Sequence, residues 1–75
     1  RLSVTLQVHG NTRLLNETFD KWIELGTGKF QIEVFNSAWL IREIIASQGD
    51  FEVLEPLGLR QEVKRQIQAI SSQYR

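Results

Sequence analysis

The residues best suited to chemistry in this chain come early, in VHGNTR, residues 8 to 13. A glycine-containing turn that opens a helix can offer backbone amides to an anion, and Arg13 would add a full charge on a forked donor. Gly10 and Asn11 suit the turn, and Asn11 also suits a helix N-cap. His9 is the chain's one histidine, and there is no cysteine. Without a second histidine or a thiolate beside it, His9 reads as a solvated turn residue, and neither a metal nor a cofactor is expected. No P-loop, GxGxxG or nucleophile elbow is present. No catalytic residue is assigned, and no enzymatic activity is expected.

Two other groups of residues could make contacts. Arg60, Lys64 and Arg65 lie near one another on a C-terminal helix, with Glu62 spaced to pair with Arg65 or Gln66. Such a set is either a solvated helix face or a contact to an anion or nucleic acid. The aromatic residues form the second group. On a helical wheel Trp39 falls opposite the stripe of Leu40, Ile41, Ile44 and Ile45, among Arg42, Glu43 and Ala46. Trp22 lies on the strand face opposite Ile23 and Leu25, and Phe35 points outward beside Glu33. Large aromatics on polar faces mark interfaces unless they pack under a neighbouring segment. Trp22, Phe35, Trp39 and Lys64 are therefore candidate contacts to a partner or effector.

These residues must be positioned by a small framework. Seventy-five residues suffice for one domain, near the lower limit for an apolar core with no disulfide staple. A partner subunit would add to that core. Nine basic residues balance nine acidic ones, so the chain has no general attraction for nucleic acid or an anionic membrane. No apolar run approaches the ~20 residues of a membrane span, and no signal-peptide pattern is visible; a cytoplasmic location is expected. The chain contains no methionine and opens directly into a strand pattern, as a piece of a longer protein would.

The elements follow from periodicity. LSVTLQV, residues 2 to 8, alternates strictly, with Leu2, Val4, Leu6 and Val8 on one face. A short helix follows in TRLLNETF. KWIEL and KFQIEVF flank GTG, and Gly26 and Gly28 can supply the positive φ angles of a hairpin. In the second of these strands Phe30, Ile32 and Val34 share a face. Asn36 or Ser37 can cap the helix AWLIREIIASQ, and Gly49 suits its stop. FEVLE is a strand that ends at Pro56. From about Gly58 to Tyr74 a last helix carries Leu59, Val63, Ile67, Ile70 and Tyr74 as one stripe.

The order strand, helix, strand, strand, helix, strand, helix predicts an α+β domain over residues 1–75. It is a ferredoxin-like βαββαβ antiparallel sheet with an additional C-terminal helix. Right-handed crossovers put both internal helices on one face, leaving the other to the final helix or to a second chain. VHGNTR in that position resembles the phosphate cradle of acylphosphatases, which implies a small hydrolase built on Arg13. Those enzymes also carry an asparagine on the second strand, and KWIEL has none. A metabolite-sensing ferredoxin-like domain is a further alternative. RNA-recognition domains share the topology but display aromatics on their central strands. Here the first strand has none, and Phe30 is in the inward register.

The segment LIREIIASQGDFEVLEPLGLRQEVKRQIQAISSQY resembles the C-terminal extension, or WCX domain, of WYL-domain transcriptional regulators. The match is an apolar helix ending near glycine, then FEVLEPLGLR, then a helix closing near Tyr74. The first half fits more loosely. Gly58 stands where relatives usually carry an acidic residue, and Gln48 where an apolar or aromatic one is common. The resemblance implies a bacterial, DeoR-like regulator in which a helix-turn-helix elsewhere in the same parent chain binds DNA. It also implies a WYL domain that senses a nucleic-acid or nucleotide-like effector, and a homodimer in which this extension packs against that domain or a second subunit. Arg60, the polar residue of the motif, joins the candidate contacts on this basis.

Overall fold

A computed structural model describes residues 1–74. It contains β1 (Leu2–Val8), α1 (Arg13–Thr18), β2 (Ile23–Gly26), β3 (Lys29–Val34), α2 (Ser37–Ala46), β4 (Phe51–Glu55) and α3 (Leu57–Ser72). The strands form one sheet in the order β2-β3-β1-β4, with every pairing antiparallel. This is the ferredoxin-like arrangement expected from the element order. None of the described helices is long and apolar enough to cross a membrane.

Alternation decides what the sheet buries. Val4, Leu6 and Val8 of β1, Phe30, Ile32 and Val34 of β3, and Phe51 and Val53 of β4 all point into the core. Leu15 and Phe19 from the α1 segment, and Leu40, Ile41 and Ile44 from α2, close over them. The opposite face carries Ser3, Glu33 and half-buried Thr5, Gln7 and Gln31, where Gln31 Nε2 donates to Ser3 Oγ at 2.6 Å. That polar face stays open, because α3 packs along β4 and against α2 and does not lie across the sheet. Only Leu59 and Val63 of its apolar stripe are buried.

Two local expectations are corrected. Ile23 of β2 pairs with Gln31, and residues directly opposite in an antiparallel pair share a face, so Ile23 lies on the open side and is 63% exposed. Trp22 therefore turns toward the helix layer and packs against the core. Alternation identifies which residues share a face, and on a four-residue edge strand it does not say which face is inward. Of the two hairpin glycines only Gly28 has a positive φ, 73°. The register shift between Glu24 and Gly26 takes up the rest of the turn.

The ends of α2 follow standard capping chemistry. Asn36 Oδ1 accepts from the Trp39 backbone amide at 3.1 Å, which satisfies one of the free amides of the first turn. At the other end Gln48 and Gly49 both adopt positive φ, 56° and 94°, and reverse the chain into β4. The hydroxyl of Ser47, which is buried, donates to the Ile44 carbonyl at 2.6 Å and accepts from the Phe51 amide at 3.1 Å. The Glu55–Pro56 peptide bond that leads into α3 is cis.

Candidate functional site

Three of the candidate contact residues come together at one end of the sheet. Trp22 just before β2, Phe35 just after β3 and Trp39 in the first turn of α2 line one groove of about 990 Å³. Asn36 fixes the start of α2 and with it the position of Trp39. Phe19 supports Trp39 from below in an edge-to-face pair, with centroids 5.9 Å apart and planes at 89°. Phe19 also contacts Phe51 at 5.7 Å, so the groove floor is continuous with the core. Phe35 is 85% exposed and is covered on one side by the Arg1 guanidinium, 5.3 Å from the ring centroid. The same guanidinium donates to Glu33 at 3.3 Å.

The electrostatics of this groove are balanced. Arg1 and Lys21 face Asp20 and Glu33, so no net field selects a charged ligand. The groove offers aromatic surface with hydrogen-bonding groups at its rim, and it contains no histidine, cysteine or serine as a nucleophile or base. Such a surface suits an apolar side chain or a flat ring.

Arg60 and Lys64 lie at a different place, along a second groove of about 800 Å³ between α2 and α3. Arg60 extends from the first turn of α3 to Glu52 Oε2 at 2.7 Å and the Val53 carbonyl at 2.8 Å. His9 Nε2 meets the other carboxylate oxygen of Glu52 at 2.7 Å. The hydrogen bond from Arg60, and then that with His9, holds the Glu52 carboxyl below the usual carboxylate range against a weaker upward push from burial. Arg60 therefore ties α3 to β4, and much of its charge is already matched. Lys64, one turn further along, is exposed and forms no ion pair among the described residues. Arg65 is paired through Nε and Nη2 to Glu62 at 3.0 and 2.5 Å, and Gln66 donates to the same carboxylate at 2.9 Å. These bonds pull the Glu62 carboxyl down to about 2.

Sequence reasoning missed Glu52 and the joining of His9 to it, since the two residues lie 43 positions apart. The pairing of Gln7 with Glu52, which brings the end of β1 beside the start of β4, is a matter of strand register that the sequence does not carry. The early VHGNTR turn does not assemble into an anion cradle. The Asn11 side chain already accepts from the Arg13 amide at 2.8 Å. The Asp50 carboxylate presses on Gly10, 2.6 Å from where a Cβ would stand. An anion at that turn would meet like charge. Among the described residues no group of three or more His, Asp or Glu side chains is placed to hold a metal ion.

A family model of the WCX domain matches residues 1–71, nearly the whole chain. No curated protein and no solved structure matches it. The match spans both grooves and the whole sheet, including the looser first half. The chain belongs to the WCX domain family.

Proposed function

We propose that this chain is the C-terminal regulatory and dimerisation domain of a bacterial, cytoplasmic WYL-type transcriptional regulator. In this role it contributes to effector sensing and subunit assembly and leaves DNA reading to other domains of the same protein. The WCX match carries this reading, because it supports a regulatory domain of a WYL-type regulator family. The balanced charge of nine basic and nine acidic residues fits a module that does not itself grip DNA. The aromatic groove at Trp22, Phe35 and Trp39 fits a surface made for another domain or a flat effector. Regulation would work by holding two subunits in a geometry that effector binding alters.

Sedimentation equilibrium of the 75-residue chain across micromolar concentrations tests the dimerisation part. A mass that rises to twice the chain mass is expected. A strict monomer at the highest concentrations would refute autonomous dimerisation. The effector part is read by thermal shift on the longer regulator, where oligonucleotides are expected to stabilise and common metabolites are not. Stabilisation by metabolites alone would favour a sensor unconnected with nucleic acid.

A further inference from the structure

From Gln66 to Tyr74 the sequence QIQAISSQY contains no charged residue, although charged residues are 24% of the chain. This uncharged half of α3 also carries the unburied half of its apolar stripe. Ile67 is 48% exposed, Ile70 43% and Tyr74, just past the helix end, 82%. Val63, Ile67, Ile70 and Tyr74 are spaced 4, 3 and 4, the spacing of a helix–helix seam and not of a solvated face. Depletion of charge around apolar anchors is the compositional mark of an interface centre.

We infer that this half of α3 pairs antiparallel with α3 of a second copy of the chain; the inference rests on the dimerisation reading above and names its surface. The spacing is self-complementary in that orientation. Setting Ile67 level with Ile70 of the partner subunit also sets Val63 level with the partner's Tyr74, and the two-fold axis repeats both layers. The partner's Tyr74 then reaches the groove between α2 and α3, whose walls at that level include Ile45, Val63 and Ile67. Charge selects both the occupant and its direction. The antiparallel register sets Lys64 across from the partner's Ser71, in the last turn of the helix, where carbonyls point outward and the dipole is negative. The last turn of α3 supplies no basic residue of its own to that end. A parallel pair would instead leave Lys64 about two turns short of that end of the partner helix. The chain's zero formal charge adds no long-range repulsion between copies.

The test uses the 75-residue chain and four variants. Ile70→Glu places a charge in the central layer of both copies and is expected to weaken the dimer about 100-fold or more by sedimentation equilibrium. Tyr74→Ala, beyond the helix, is expected to weaken it without changing the circular dichroism spectrum. An equimolar mixture of the single variants Ile67→Cys and Ile70→Cys, each carrying the chain's only thiol, is expected to form the mixed disulfide-linked dimer on mild oxidation. A dimer of unchanged affinity in Ile70→Glu, or no mixed cross-link between the two cysteine variants, would overturn the α3 seam and leave dimerisation by another face. A wild-type chain that stays monomeric would remove both.

Discussion

Phe19 holds the aromatic groove to the core, and replacing it by leucine tests whether the groove is built from below or merely decorates the surface. The ring makes an edge-to-face pair with Trp39 at 5.9 Å and a tilted pair with Phe51 at 5.7 Å, and the residue is 6% exposed. Each aromatic pair contributes about 0.5–1.5 kcal/mol beyond the area it buries. Losing two such pairs costs ~1–3 kcal/mol, and the smaller buried surface of leucine adds about 1 kcal/mol. Phe19→Leu should therefore destabilise the chain by about 2–4 kcal/mol, a large fraction of the ~4–11 kcal/mol expected for 75 residues. In urea, with a slope of about 1 kcal/mol per molar, the midpoint should fall by roughly 2 M or more. Tryptophan fluorescence should shift at the same time, because Trp39 loses its support. Phe35→Ala, at an exposed position in the same groove, is the control and should change stability by no more than about 0.5 kcal/mol. Equal effects of the two substitutions, or a Phe19→Leu loss below about 0.5 kcal/mol, would refute the packing account of the groove.

Three further outcomes are expected. Asn36→Ala removes the side-chain acceptor for the Trp39 amide and should cost about 1 kcal/mol, measured by chemical denaturation. Gly28→Ala introduces a Cβ at a φ of 73° and 2.5 Å from Gln7 Nε2, so it should destabilise the hairpin by about 1–2 kcal/mol and broaden the β2–β3 amide resonances. Glu52 has a lowered folded-state pKa, caused first by Arg60 and then by His9. Its contribution is therefore present above the usual carboxylate range and is lost as pH falls through the depressed value. Denaturation from about pH 6 to about pH 2, a span that covers carboxylate titration, should show a loss of stability on acidification that Glu52→Gln reduces. An unchanged acid limb in that variant would contradict the His9–Glu52–Arg60 assignment.

Much of this fold was legible because it rests on local patterns. The strict alternation of Leu2, Val4, Leu6 and Val8, the Phe30, Ile32, Val34 face and the Leu40, Ile41, Ile44 stripe all point inward as their periods require. Residue type offered Asn36 or Ser37 as the cap of α2, and the Asn36 side chain takes that place. What was not legible depends on register or on a missing partner. Whether Ile23 or Trp22 faces the core is decided by the pairing of Ile23 with Gln31 on a short edge strand. The convergence of Trp22, Phe35 and Trp39 on one groove needs the sheet closed before it exists. The α3 stripe was readable as one apolar face, but nothing in its spacing showed that the core would reach only Leu59 and Val63.

The buried hydroxyl of Ser47 has a consequence for how the molecule breathes. It closes the last turn of α2 and holds the first amide of β4, so a single atom belongs to both elements. Neither bond can open without weakening the other, and Phe51 beneath them is a core residue. The C-terminal turn of α2 and the start of β4 should thus exchange their amide hydrogens at one shared rate, as a single cooperative unit. Fraying from the exposed end of α3 would stop at that unit, and the sheet behind it would remain closed while the last helix moves.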